Sequence, residues 1–416
     1  MKTKKKFKMN LGLWTLIAAV LGIVAGLIFK SKTSQITWIN DIFMRLLQMA
    51  IIPFVMGAVI GAVGSVKPKE LGRMGGKIFI LFAVSTLIAA FIGILCANIF
   101  KPGVGIDISQ FSTTSTELQA SATLSESLLN LVPVNIIQSM ANGETIKCLV
   151  FSLLFGVVLS LTGAQKNDNT VLKGIRYITE ALQELLKLIV HLIPVSVFIM
   201  MAYAIGTIGT TILGPMAKLI MINLVAAIVI TGGYSLLACA YAHVSVIKFW
   251  KKMGPTIMIA AVSQSSSVSL PTKMDTGERQ MGISPRVNRL VGPLGMSMNS
   301  DGAALFIALS AITVAQIFGI HMTFLQQFSL VITATLTTFA TVSVAGGGLI
   351  MFAMVLAAVG LPPEGYAFIA GIDFVLAIIR TILNVVDDVI IALVIAASEK
   401  GLDREIFNGE KEYVNI

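Results

Sequence analysis

The 416 residues carry 56% hydrophobic and only 12% charged side chains, with a net charge of +9 and a mean hydropathy of +0.89. A soluble domain carries about 25% charged residues, and greasy soluble helices still need a polar face, so a large soluble protein is excluded. The surplus of Lys and Arg lies at the ends of apolar runs, where orientation signals belong, and is no sign of nucleic acid. Cys96, Cys148 and Cys239 are scattered inside apolar segments, with neither metal-site nor disulfide spacing.

In chain order, Lys2, Lys4, Lys5, Lys6 and Lys8 precede an apolar stretch that is too long for the core of a signal peptide. It reads as a first span over residues 11–30. Further spans are expected at 40–64, 77–100, 130–163, 174–206 and 214–245. The polar stretch 103–129 reads as an external loop. Residues 255–275 are apolar and serine-rich, broken by Pro255 and Pro271. A span follows at 287–318. The apolar stretch 324–360 is interrupted by the run Ser343, Val344, Ala345, Gly346, Gly347, Gly348, and a last span covers 366–397.

Charge constrains the topology. Basic residues cluster at the N-terminus, at 67–77, at 166–176, at 248–252, at 273–289 (Lys273, Arg279, Arg286, Arg289) and at 400–411. Basic loops belong in the cytoplasm. Alternation works only if 255–275 enters and leaves from the cytoplasm and 324–360 enters and leaves from outside. The expected fold is an all-α polytopic membrane protein with eight transmembrane helices and two oppositely oriented re-entrant hairpins, both termini cytoplasmic, in the plasma (inner) membrane. Broken helices in corresponding halves point to a binding site near the midplane, because irregular backbone at that depth must line a cavity or be buried in protein.

Ionisable groups at membrane depth are costly and functional by default. The last span holds Asp373, Arg380, Thr381, Asn384, Asp387 and Asp388. Arg380 has no carboxylate three or four residues away. Asp373 and Asp387 stand seven residues off, about 10.5 Å along the axis, so no local ion pair is expected, and the guanidinium suits a carboxylate held bidentately. The alternative is a partner on another span. Asn384 and Asp388 share a helix face and offer oxygens to a hard cation. The preceding span adds Asn299, Ser300, Asp301 and Gly302. Ser265, Ser266 and Ser267 sit at the tip of the cytoplasmic hairpin, where a helix N-terminus would face an anion. The glycines at 346–348 allow close backbone approach to a ligand.

Together these residues resemble the dicarboxylate/amino acid:cation symporter family. The resemblance runs from about residue 11 to 397 and rests on an ordered set: Ser265-Ser266-Ser267 with Leu270-Pro271, then Met281-Gly282-Ile283, Pro293-Leu294-Gly295, Asn299-x-Asp301-Gly302 and Arg380-Thr381-x-x-Asn384-Val385. It implies a homotrimer in the lipid bilayer that works as an inverted-repeat elevator. Residues 1–70 and 130–210 would form the scaffold. Residues 71–102 and 211–398 would form the moving body, with 103–129 an external loop and 399–416 a cytoplasmic tail. It places substrate at Ser265, Ser266, Ser267, Val344, Gly348, Arg380, Thr381 and Asn384, with Ala377 facing the substrate. It implies co-transported sodium ions at three sites: Gly295, Asn299, Asn384 and Asp388; then Ser85, Thr86, Asn299 and Asp301; then Ser297, Thr338, Phe339 and Thr341.

The chain departs from the family pattern at several positions. Ala377 replaces the aspartate that holds a substrate amino group, Ala303 replaces a threonine, and Ser300 stands between Asn299 and Asp301 where methionine is usual. The outer hairpin reads Ser343-Val344-Ala345-Gly346, and Asp387 stands where glycine is common. An unpaired buried ammonium costs several kcal/mol, so a dicarboxylate without an amino group is the simplest cargo. An acidic amino acid held by Asp373 or Asp387, a neutral or sulfur-containing amino acid, and proton rather than sodium coupling are the alternatives. A serine hydrolase would need a base within reach and an elbow motif that is absent. A channel would need rings of charge along a pore.

Overall fold

In the computed structural model of the chain, residues 11–64, 68–105, 132–166, 170–340 and 347–413 are described. Among them no strand forms; one isolated antiparallel bridge joins Ile283 and Leu402. The first helices are α1 (Leu11–Phe29), α2 (Thr37–Gly64) and α3 (Pro68–Phe100). The expected external loop falls almost wholly outside the described residues. After it come α4 (Ile136–Ala141), α5 (Thr145–Lys166), α6 (Thr170–Val190), α7 (Ile193–Ile208) and α8 (Leu213–Ala242). Thus the stretches expected as single spans at 130–163 and 174–206 are each two helices. Asn135 starts the short α4 by accepting from the Ile137 and Gln138 N–H groups, as an N-cap does.

The second half is built from helices that break. The pairs are α9 (Val246–Ser263) with α10 (Ser266–Asp275), α11 (Pro285–Met298) with α12 (Asp301–Ile317), α13 (Phe324–Ala340) with α14 (Gly347–Ala358), and α15 (Gly365–Ala370) with α16 (Asp373–Ser398). A short α17 (Arg404–Asn408) follows. The expectation that Pro255 and Pro271 break the cytoplasmic hairpin is corrected: both prolines lie inside helices. The break falls at Gln264, whose φ of +50° is left-handed, and at Ser265, whose hydroxyl caps α10 by accepting from Val268 N–H. A left-handed residue followed by an N-cap stops one helix and starts another. The expected single spans at 287–318 and 366–397 are likewise interrupted, at Asn299–Ser300 and at Gly371–Ile372.

Among the described residues, four segments are long and apolar enough to cross a bilayer: Ile17–Phe43, Met74–Phe100, Thr210–Ala242 and Pro285–Ile317. The first three expose large apolar side chains, among them Leu21, Ile28, Ile80, Phe91, Ile228 and Leu237, which only lipid suits. The fourth is different: 94% of its most apolar window is buried inside the protein. The chain is a multi-pass integral membrane protein, and α12 is its central rod.

Helices meet where small residues let backbones approach. α1 lies along α7, α3 along α12 and α8 along α16, while α2 packs on α5 and α6. At the first contact a Cβ on Gly22 would stand 2.6 Å from the Phe198 carbonyl oxygen, and one on Gly26 would stand 2.7 Å from that of Ala202. Membrane helices associate through such close packing, since lipid supplies little hydrophobic drive between them. Changing Gly22 and Gly26 together to Leu is expected to force α1 off α7 and lower the thermal unfolding midpoint in detergent, each change costing about 1–3 kcal/mol. The same pair of changes at Gly174 and Gly214, exposed helical positions where a Cβ meets nothing, is the control for added bulk.

Candidate functional site

The site is organised by α16. Asp373, Arg380, Thr381, Asn384, Asp387 and Asp388 are all buried, as is Ala377 between the first two. The expectation that Arg380 has no local partner is corrected: its Nη1 donates to Asp373 Oδ1 at 3.1 Å. Helical side chains lean toward the helix N-terminus, so Arg380 leans toward Asp373, not Asp387, and the two side chains together span two turns. The guanidinium also lies over the Phe306 ring of α12, 4.7 Å from its centroid, a cation–π contact. It fills the space where a Cβ on Gly348 would be. Arginine has five N–H donors in a fixed fork, so the bond to Asp373 orients the group and leaves others for an anion. Thr381 turns its hydroxyl to the Ala377 carbonyl, 2.8 Å away.

Two helix N-termini flank this region. In the hairpin tip, Ser266 is buried, Ser265 is half-buried and serves as the cap, and Ser267 is exposed. Gln264 donates to the Phe374 carbonyl at 3.4 Å, tying the tip to the first turn of α16. The other N-terminus is that of α14, whose second residue is Gly348. Val344 and Thr341, expected at the substrate and at the third sodium site, lie outside the described residues.

The break at Asn299–Ser300 collects the oxygens. Asn384 Oδ1 accepts from Gly302 N–H at 2.7 Å and so closes the start of α12. The Asn299 amide nitrogen donates to the Asn384 carbonyl at 3.1 Å and to Asp388 Oδ1 at 2.9 Å. Both partners are acceptors, which fixes the amide orientation and leaves Asn299 Oδ1 buried without a hydrogen-bond donor. Asp301 is completely buried in the first turn of α12. Thr86 donates to its Oδ1 at 2.5 Å, while its Oδ2 has no donor. Ser85 is beside the same carboxyl and gives a hydrogen bond to the Phe82 carbonyl at 3.1 Å. Asp387 adjoins Asp301, and neither of its oxygens accepts a hydrogen bond from a described residue. Asn299, Asp301 and Asp387 thus hold four buried oxygens without donors among the described residues, and the two carboxyls adjoin, the chemistry of a hard-cation site.

Asp388 is in a different state. Its carboxylate is ion-paired with Lys273 of α10, and both side chains are at most 2% exposed. Counting Lys273 among the cytoplasmic charges is therefore corrected: it is a buried, functional-depth lysine. Its position two residues after Pro271, inside the serine-rich hairpin, was the available signal. Gly295, expected to offer a backbone oxygen beside Asp388, abuts that carboxylate; a Cβ there would overlap it, and its carbonyl accepts from Asn299 N–H at 2.8 Å. Of the third expected set, Thr338 is buried with its hydroxyl on the Thr335 carbonyl at 2.8 Å. Phe339 stacks on Phe79 at 6.1 Å between centroids, and Ser297 lies near the end of α11.

Helices that break inside a membrane body to gather buried charge belong to carriers of charged solutes, and comparison with known proteins agrees. The profile of the sodium:dicarboxylate symporter family matches residues 11–398. The chain is 34% identical over 423 residues to a proton/glutamate-aspartate symporter of Escherichia coli (strain K12), covering 96% of this chain and 95% of that one. It is 32% identical over 414 residues to a proton/sodium-glutamate symport protein of Geobacillus stearothermophilus, covering 96% of each. It is 28% identical over 406 residues to a C4-dicarboxylate transport protein of Bacillus subtilis (strain 168), again covering 96% of each. The chain belongs to the sodium:dicarboxylate symporter family, a family of transporters and not of enzymes.

The contact of Gly348 with Arg380 yields a direct prediction. Gly348→Ala pushes the guanidinium away from Asp373 and Phe306. A hydrogen bond to a charged group contributes roughly 1.5–3 kcal/mol, so affinity for acidic solutes is expected to fall about 10- to 100-fold. The purified protein should stay folded with a lower unfolding temperature, because a buried pair is loosened without either charge being removed. Calorimetric titration of the variant checks this, with Arg380→Ala as the reference for complete loss.

Proposed function

We propose that the chain is a secondary active symporter that imports a small carboxylate-bearing solute together with sodium ions. The observation that carries this is the juxtaposition on α16 of Arg380, oriented by Asp373 and pressed against Gly348, with the donor-free oxygens of Asn299, Asp301 and Asp387. Among the described residues the buried Asp, Glu, Lys and Arg side chains are four carboxyls, Asp301, Asp373, Asp387 and Asp388, against two cations, Lys273 and Arg380. Such an excess of negative charge away from water calls for cations or protons. The orphaned amide oxygen of Asn299 adds a neutral ligand of the kind hard cations take.

The cargo is a C4-dicarboxylate in preference to an amino acid. Ala377 carries no charge for an α-ammonium, and Asp373 is engaged by Arg380. Proton/glutamate-aspartate symport in the Escherichia coli relative makes an acidic amino acid the second reading. Transport proceeds by an elevator movement of residues 71–102 and 211–398 against a trimeric scaffold of 1–70 and 130–210. The chain crosses the membrane eight times, with α9–α10 and α13–α14 as opposed re-entrant hairpins and both termini cytoplasmic. The lysine distribution and the two broken helix pairs support this arrangement.

In proteoliposomes, an inward sodium gradient is expected to drive succinate or malate uptake, and succinate should displace aspartate in a competition assay. Uptake driven by a pH gradient alone would replace sodium with the proton. Tighter binding of aspartate would overturn the choice of cargo.

A further inference from the structure

Lys273 is used by neither the substrate region nor the donor-free oxygens, yet it is among the most deeply buried charges in the protein. Its ammonium is within hydrogen-bond reach of two acceptors, the Asp388 carboxylate and the Gly292 carbonyl, the latter at 3.1 Å. The remaining groups around Asp388 are also engaged. The second carboxylate oxygen accepts from the Asn299 amide, which also donates to the Asn384 carbonyl, and the Gly295 carbonyl accepts from Asn299 N–H. A monovalent metal ion here would need these oxygens free and would sit against an ammonium of the same charge. Like charges at contact in a dry site repel strongly, so the residues around Asp388 do not fit a bound sodium ion while Lys273 is there. They contrast with Asn299 Oδ1, Asp301 Oδ2 and the Asp387 carboxyl, whose oxygens have no donors among the described residues.

We propose that Lys273 is a tethered cation that takes the place of one co-transported ion at Asp388. An ammonium held by a carboxylate and a carbonyl supplies the same single charge as a sodium ion coordinated by oxygens, without having to be taken up from solution. It stays with the protein through every cycle, so the Asp388 position neutralises itself and couples no ion movement. Only the neighbouring cluster at Asn299, Asp301 and Asp387 then takes cations from solution. This rests on the reading of that cluster as a sodium site, and it assigns the chain fewer coupling ions than its acidic residues alone would indicate.

The test is Lys273→Met, which keeps an unbranched side chain and removes the charge. Two quantities are measured on the full-length protein: the slope of unfolding temperature against log sodium concentration in detergent, and the ratio of radiolabelled sodium to substrate taken up by proteoliposomes. Lys273→Met is expected to bind one more sodium ion than the parent by both measures. The double variant Lys273→Met with Asp388→Asn, which removes both charges, should return to the parental number. If Lys273→Met survives only in sodium while the double variant does not need it, the same conclusion follows. Equal sodium numbers in parent and Lys273→Met overturn the proposal, as does a Lys273→Met protein unfolded in every salt beside a folded double variant. A parent without any sodium response would defeat the reading of the neighbouring cluster instead. A sodium response gained by Lys273→Met would then still uphold the role of Lys273.

Discussion

The cost of holding charge away from water governs this structure. Desolvating an ion costs several kcal/mol even after the protein relaxes, and removing one partner of a buried pair costs about 3–5 kcal/mol. Each buried ionisable group on α16 has therefore been given a specific neighbour. Arg380 has Asp373 and the face of Phe306; Asp388 has Lys273 and Asn299; Asp387 has Asp301 beside it. The two settled pairs build the frame of the site. The unsettled pair, Asp301 and Asp387, is the proposed place for a cargo cation, and binding there would tie the state of α12 to that of α16.

Broken helices make these neighbours available. An unbroken helix satisfies its own backbone and presents side chains only on its faces. Interrupting α11–α12 at Asn299 frees backbone groups, of which Gly302 N–H is satisfied by the Asn384 side chain, while the Asn299 side chain reaches the Asn384 carbonyl of α16. Interrupting α9–α10 at Gln264 places a serine-capped N-terminus beside the first turn of α16. Helix N-termini carry a partial positive charge, which suits a carboxylate cargo next to Arg380. Glycine completes the geometry. Gly348 admits the guanidinium, Gly295 admits the Asp388 carboxylate, and Gly302 admits the backbone of Arg380.

Much of this was legible in the sequence because charge in an apolar run is conspicuous. Asp301, Arg380, Asn384 and Asp388 stand out without any structure, and the order of motifs around them resembles one family. What escaped had a physical cause in each case. Lys273 was absorbed into a cytoplasmic charge count, since hydropathy says that a lysine is near a span end but not which way the helix turns it. The Arg380–Asp373 pair is not legible from the axial separation of about 10.5 Å, because the long arginine side chain leans back toward the helix N-terminus and closes two turns. Pro255 and Pro271 suggest breaks at their own positions, yet both lie inside helices, and the chain breaks at Gln264–Ser265, where a left-handed residue and a cap end one helix and begin the next. The donor-free oxygen of Asn299 was invisible, because satisfaction depends on partners brought from other helices.

The central claim is that the unneutralised carboxyl at Asp301 is balanced by a cargo cation. The most direct measurement is the sodium-dependent rise in unfolding temperature of the parent and of Asp301→Asn, with potassium as the control. At a hundredfold excess over the dissociation constant, a ligand bound only by the folded state adds about 2.7 kcal/mol. The parent is expected to show a shift of that order with sodium and little with potassium, and Asp301→Asn to fold but lose most of it. An undiminished sodium shift in Asp301→Asn, or equal stabilisation of the parent by both salts, would contradict it.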